Sequence, residues 1–335
     1  MKKIIWQTPS SILYESVRNQ KMLKNTPGGH AYNFQACMAM KSDFNISIDS
    51  QVVRHKPESI IPYLWRIKRH RADADLIIKD AFTITWGNNS SSPQVGIIHH
   101  LADELKKKSF KYRWHFSRLE KRLKQLDYVI TVSKYWEQRL QSLGCLNTKV
   151  IYNSFNLTEF KFSATEIAEF KEKYQLNSDK PLIYIGNAKA NKGVIDVYKA
   201  LGTEKFHLIM SGPKDHNLSL PVHHLDLQRK DYLRLLKACD LVLTMSTMME
   251  GWNRTAHEAM LCQTPVIGTG IGGMKELLTE GKQVIQPQFQ GLTDTVLSVL
   301  EHKEQFAEDG FKYVQQFDMD YFNTEWQQFM KQILG

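Results

Sequence analysis

Glu250 and Glu258 lie eight positions apart within Met249–Leu278, the stretch with the densest chemistry in the chain. Ahead of it, Asp240-Leu-Val-Leu-Thr-Met245 is a near-continuous apolar run, the pattern of a strand buried on both faces. Gly251 and Asn253 break that run, and Arg254–Cys262 alternates apolar and polar residues at helical spacing. Glu250 therefore falls on the loop after a strand and Glu258 on the helix that follows. In open parallel sheets this carboxyl edge is where ligands bind. A carboxylate accepts several hydrogen bonds and suits paired sugar hydroxyls. A helix N-terminus and glycine-turn amides suit a pyrophosphate. Two solvated surface charges would show the same spacing, so the neighbouring residues have to decide.

Those neighbours resemble the retaining glycosyltransferases of family 4. The family pattern runs E-G-[FW]-G-x-x-x-x-E-A-[ML]-A-C-G-x-P-V-[IV]-x-[ST]-x-x-G-G-x-x-E-[LI]. This chain matches at Glu250, Gly251, Trp252, Glu258, Ala259, Met260, Cys262, Pro265, Val266, Ile267, Thr269, Gly272, Gly273, Glu276 and Leu277. It departs at Asn253 and Gln263, where the family has glycine. Asn tolerates unusual backbone angles and caps helices, which softens the first departure. The resemblance implies a GT-B fold, an α/β architecture of two Rossmann-like, doubly wound domains facing each other across a cleft. It also implies that Glu258 takes the ribose hydroxyls of a nucleotide-sugar donor and Glu250 the sugar hydroxyls. Gly251, Trp252, Asn253, Gly272 and Gly273 would shape the same donor pocket.

Tyr184-Ile-Gly-Asn-Ala-Lys-Ala-Asn-Lys-Gly-Val194 resembles the family's G-R-x-x-x-x-K-G turn, whose arginine and lysine hold the donor diphosphate. Gly186 and Lys192 fit; Asn187 stands where the arginine is expected. A positioned cation stabilises a departing diphosphate, so Lys189 or Arg254 would have to supply the missing charge. Pro93–Leu101 ends a strand with His99 and His100, and the resemblance puts the first opposite the donor sugar. Gly28-Gly29-His30 opens a helix and resembles a glycine-rich phosphate or acceptor loop, though a plain turn reads equally well. Gly212 ends the next strand, and Asn153 begins the passage between domains. Two Asp-x-Asp triplets, Asp73–Asp75 and Asp318–Asp320, do not end apolar strands. No metal is expected to be required, and no cofactor beyond the nucleotide-sugar substrate.

Two domains of ordinary size account for 335 residues. Strand–helix alternation throughout argues for doubly wound sheets, without internal repeats. The expected boundaries are an acceptor domain over 1–155, a donor domain over 156–317, and, by the resemblance, a last helix over 318–335 that crosses back. Four widely spaced cysteines, Cys37, Cys145, Cys239 and Cys262, imply neither a disulfide framework nor a zinc site. Met1–Pro9 reads as a first strand rather than a leader, and no apolar run would cross a bilayer. The expected setting is cytoplasmic.

The charge is lopsided. Residues 1–155 hold 25 Lys and Arg against 12 Asp and Glu, a net +13, and the remainder holds 19 against 23, a net −4. Lys106–Lys124 interleaves Phe110, Tyr112, Trp114 and Phe116 with cations, which fits a helix on an anionic membrane surface at the inner face. It fits a solvated helix face equally well, and no nucleic-acid motif accompanies it. The function the resemblance implies is transfer of a sugar from a nucleotide-linked donor, UDP- or GDP-linked, to a glycan or lipid-linked acceptor with retention. A sugar-nucleotide epimerase and a catalytically silent nucleotide-binding module are the alternatives.

Overall fold

The structure is a computed structural model that describes residues 1–23, 26–55, 58–88 and 90–335. These residues form two compact units, Met1–Ser154 together with Met319–Gly335, and Phe155–Asp318.

Unit 1 has strands β1 (Lys3–Gln7), β2 (Asn45–Ile48), β3 (Leu76–Asp80), β4 (Gln94–Ile98), β5 (Tyr128–Thr131) and β6 (Thr148–Val150). They form one parallel sheet in the order β2-β1-β3-β4-β5-β6. Its helices are α1 (Ser11–Arg18), α2 (Gly28–Met40), α3 (Ile60–Arg69), α4 (Ala81–Trp86), α5 (Phe110–Leu123) and α6 (Lys134–Ser142). Unit 2 has strands β7 (Leu182–Asn187), β8 (His207–Ser211), β9 (His223–Leu225), β10 (Leu241–Thr244), β11 (Val266–Gly268) and β12 (Val284–Ile285). Its sheet is also parallel, ordered β12-β11-β10-β7-β8-β9. Helices α7 (Ala164–Lys173), α8 (Val194–Leu201), α9 (Arg229–Ala238), α10 (Arg254–Leu261), α11 (Met274–Glu280), α12 (Leu292–Glu301) and α13 (Lys303–Val314) surround it.

The sequence pattern explains the strands. Leu182–Ile185 and Leu241–Leu243 are wholly buried, so both faces of the central strands must be apolar. In each sheet the chain runs one way from its first strand and then returns to that strand's other side. The reversal falls between β1 and β3 in unit 1, and between β7 and β10 in unit 2. Such switch points open a crevice at the carboxyl ends of the strands.

Several elements have no clear sequence signal. β9 is a three-residue edge strand of half-buried His223, His224 and Leu225, without an apolar run. α4 reads Ala-Phe-Thr-Ile-Thr-Trp, whose β-branched residues favour a strand; Asp80 caps it by accepting the Thr83 N–H at 3.0 Å. Helix α13 carries Gly310 in its interior, which packs where a side chain would crowd Gln283 and Met260.

The final helix, α14 (Met319–Leu334), belongs to unit 1. It buries Phe322, Trp326, Phe329 and Met330, one face at helical spacing. Trp326 sits 6.4 Å from Trp6 and 6.1 Å from Tyr32, ring centre to ring centre. Lys149–Glu325 at 2.7 Å and Lys331–Asp43 at 2.5 Å tie its rim. Of the Asp-x-Asp residues, Asp75 accepts the Lys3 N–H at 2.7 Å and Asp320 lies in the first turn of α14. Among the described residues no helix is long and apolar enough to cross a membrane.

Because Trp326 is wholly buried in this aromatic cluster, Trp326→Ala is expected to destabilise the protein by about 3–5 kcal/mol. The urea midpoint of unfolding measures it.

Candidate functional site

Three turns at the carboxyl ends of β7, β10 and β11 are laced together by backbone contacts. Gly193 has φ +74°, and a side chain there would collide with the Met245 carbonyl. Beside it the Thr247 N–H donates to the Asn191 carbonyl at 3.1 Å. Gly272, with φ +70°, lies so close to the Glu250 carbonyl that no Cβ fits. The Gly273 N–H donates to that carbonyl at 2.9 Å, so this amide is committed to backbone structure and does not face a ligand.

This lacing brings Lys192 Nζ within 2.6 Å of Glu250 Oε1. The Glu250 side chain is only 11 % exposed and that of Lys192 27 %. At the switch point beside them is a small pocket lined by Gly186, Asn187, Lys192, Leu243, Thr244, Ser246, Asn253 and Thr255. Its empty volume is about 270 Å³, part of it open to solvent. The first residues of α10 lie in its wall, so the positive end of that helix faces the space. Neither glutamate is among the lining residues; Glu250 reaches the pocket through Lys192.

Glu258 lies one step inward on α10, with its side chain 5 % exposed, and accepts from Arg229 Nη1 at 2.5 Å. Arg229 comes from the first turn of α9 and also reaches Glu159 at 3.2 Å. Burial opposes charge on Arg229, but Glu258 outweighs it and holds the guanidinium above its ordinary range. Arg254 lies over the Phe155 ring at 4.3 Å, and Arg229 over the same ring at 5.7 Å. Burial brings Arg254 down to about 10, with Glu258 working the other way.

The departures from the family pattern fall where the backbone is left-handed. Asn253 has φ +72° and Gln263 φ +56°, both in the region that favours glycine. Asn253 caps α10 by accepting the Ala256 N–H at 3.0 Å. Asn187 accepts the Tyr184 hydroxyl at 3.0 Å, and a Cβ on Gly212, whose φ is +82°, would stand 3.7 Å from the same amide oxygen. Lys189 is exposed. Gly251 is half-buried in the turn.

Trp252 does not face the pocket. It is buried, and its indole N–H donates to His257 Nδ1 at 3.0 Å. An indole is too large for a tight turn surface and finds its place under α10, against Phe317. His257 carries no motif signal. It is wholly buried with its pKa pulled down to about 3, first by burial and then by the Arg254 charge.

In unit 1, His99 donates from Nε2 to Asn33 Oδ1 at 2.9 Å and meets Tyr32 edge-on at 5.0 Å. Gly29 packs beside its ring, where a Cβ would stand 3.5 Å away. Gly28 starts α2. His100 is exposed, 6.5 Å from the Trp136 ring. Asp80 also stands at this switch point. It accepts the Thr8 hydroxyl at 2.7 Å, its pKa is raised by burial, and His30 is close enough for their charges to interact. Among the described residues no group of three or more His, Cys, Asp or Glu side chains is placed to hold a metal ion.

Two parallel six-stranded sheets with these switch points are a GT-B α/β fold. Sucrose-phosphate synthase from Thermosynechococcus elongatus superposes with a TM-score of 0.79 at 17% identity, covering 99% of both chains. Anabaena HepE in complex with UDP-glucose superposes with 0.74 at 19% identity, covering 99% of this chain and 100% of that one. Residues 166–312 match the family model of glycosyl transferases group 1. Over that stretch and in its motifs the chain is similar to GT4-like glycosyl transferases of group 1. N-acetyl-alpha-D-glucosaminyl L-malate synthase from Bacillus anthracis is 30% identical over 176 residues, 48% of this chain and 45% of that one. The chain spans about half the length of the curated relatives it matches.

His257 supplies a pH test. Below its ordinary value of 6.5 the unfolded chain takes up a proton that the folded imidazole refuses until about pH 3. Stability is therefore complete above pH 6.5 and falls as the pH drops toward 3. Between pH 7 and pH 4 this residue should account for a loss on the order of 3 kcal/mol. In urea titrations His257→Gln, which keeps an acceptor for the indole, is expected to show a shallower acid limb than the parent chain.

Proposed function

We propose that this chain transfers a hexose from a nucleotide-sugar to a hydroxyl acceptor, with retention at the anomeric carbon. The observation that carries the reading is the Lys192–Glu250 pair, held at 2.6 Å beside the helix-lined pocket at the switch point of unit 2. Lys192 takes the donor diphosphate, with Asn187, Lys189 and Arg254 around it. Gly186 and Gly212 leave room for phosphate oxygens, and Gly251, Asn253 and Gly272 set the backbone of the sugar side. Glu250 takes the sugar hydroxyls and Glu258 the ribose hydroxyls.

Both carboxylates already hold cations, so the donor enters by exchange. A diphosphate draws Lys192 from Glu250, which frees Glu250 for hydroxyls; a ribose competes with Arg229 for Glu258. In the transfer step the bond from the anomeric carbon to the diphosphate oxygen breaks. The acceptor oxygen bonds to that carbon from the same face, and its proton passes to the departing phosphate. Lys192 stabilises the charge that develops on the leaving group. No carboxylate serves as a nucleophile, and a covalent sugar adduct on Glu250 would contradict this step. The reaction is taken to run without metal or cofactor.

Unit 1 is proposed to bind the acceptor, a glycan or lipid-linked carrier, with His99 contacting the reacting sugar and Gly28, Gly29 and His100 forming the acceptor or phosphate loop. The setting is the cytoplasm or the inner face of the membrane. The relatives support a nucleotide donor, since HepE was crystallised with UDP-glucose. A GDP-linked sugar remains in the same class.

The test is a panel of UDP-, GDP-, ADP- and dTDP-sugars, read by thermal stabilisation and by transfer to water or acceptor. A donor at 100 times its dissociation constant should stabilise by about 2.7 kcal/mol. Glu250→Gln is expected to lower kcat by about 10²–10³-fold while free nucleotide still binds, and Glu258→Gln to act mainly on donor KM. No stabilisation by any nucleotide-sugar sinks the proposal. Binding with no turnover points to a silent module instead, and interconversion of the free donor to an epimerase.

A further inference from the structure

Half of the large apolar side chains that stand exposed among the described residues cluster on two helices of unit 1. Ile60, Ile61 and Trp65 lie on α3, exposed by 42, 76 and 57 %. Phe110, Tyr112 and Trp114 lie on α5, exposed by 77, 45 and 52 %. Each helix is anchored by its opposite face: Tyr63 and Ile67 bury α3, and Phe116, Leu119 and Leu123 bury α5. Ile61 and Trp65 on α3, and Phe110 and Trp114 on α5, therefore form a second face, while Ile60 and Tyr112 extend the buried stripes to the exposed helix starts. Ile61 and Trp65 are four apart on α3, as are Phe110 and Trp114 on α5, so each pair forms one stripe.

Helix α4 stands between them and touches both. Its Phe82 stacks on Tyr63 of α3 at 5.8 Å, and its Trp86 meets Trp114 of α5 at 5.2 Å. Cations rim both stripes. Lys68, Arg69 and Arg71 are exposed at the end of α3, and Lys107, Lys108, Lys111 and Arg113 about the start of α5. Residues 59–72 and 105–119 contain no Asp or Glu. Arg69 lies over the exposed Trp65 ring at 3.0 Å, which places a cation beside the indole at the surface.

We infer that α3 and α5 together form a contact surface for an anionic phospholipid bilayer, with Ile61, Trp65, Phe110 and Trp114 entering the headgroup boundary. Basic helices with aromatic and aliphatic faces lie in that boundary and prefer anionic lipid. The aliphatic Ile60 and Ile61 favour lipid over nucleic acid, because bases stack on rings and not on branched alkyl groups. Sequence patterning points to α5; α3 joins it through α4. This surface belongs to unit 1 and the Lys192–Glu250 pair to unit 2, so vesicle binding and sugar transfer can fail separately.

The experiment is vesicle flotation of the full chain with pure phosphatidylcholine and with phosphatidylcholine containing 30 mol % phosphatidylglycerol, about physiological salt. The parent chain should bind the anionic vesicles at least tenfold more tightly than the neutral ones, with each exposed cation worth about fivefold. Ile61→Asn with Trp65→Ser should reduce anionic binding about tenfold or more, and Lys68→Gln with Lys111→Gln should do the same. Both variants alter exposed side chains, and an unchanged thermal midpoint confirms their folding. Equal partition into both vesicle types, indifference to the α3 variant, or release from vesicles by a short single-stranded RNA at micromolar concentration would overturn the assignment.

Discussion

The approach of Gly193 to the Met245 carbonyl, and of Gly272 to Glu250, is the constraint on which the candidate site depends. Three turns leave three neighbouring strands, and only residues without a Cβ let their backbones meet. Once they meet, the position of Lys192 follows. Its turn is fixed to the β10 loop by the Asn191 carbonyl, and Glu250 is fixed to the β11 turn by its own carbonyl. The ion pair at the pocket edge is thus set by backbone fit, and no long side chain has to be ordered from solvent to build it.

The same architecture sets the electrostatics. Glu250 and Glu258 have little exposed surface, and a carboxylate removed from water needs a partner. Lys192 and Arg229 meet that need. Each ion pair orients a carboxylate, and each can give way to a ligand that offers equivalent contacts. Beneath them the apolar layer of Phe155, Trp252, His257 and Phe317 keeps α10 in place. The histidine in that layer is neutral because burial and the nearby Arg254 disfavour a second positive charge.

Unit 1 shows a different balance. Its sheet is closed by the carboxyl-terminal helix through Trp6, Tyr32, Phe322 and Trp326. Its basic excess sits on helices whose outer faces remain apolar.

The sequence by itself determined the strand pattern, because strands buried on both faces need unbroken apolar runs such as Leu241–Leu243. It also placed Glu250 on a loop and Glu258 on a helix after a buried strand, and the resemblance of the turns to the family's motifs singled out both, with Lys192. The helix α4 and the strand β9 were not legible: one is a β-branched segment that a cap and tertiary packing turn into a helix, the other a short edge without a hydrophobic signal. Only the tertiary structure decided the partners. Arg229 lies 29 residues from Glu258 and Lys192 lies 58 from Glu250, and those pairings arise from strand order, not from local spacing. It likewise turned Trp252 inward and committed the Gly273 amide to the backbone, since a side chain's direction and a donor's partner depend on neighbours that only the fold brings near.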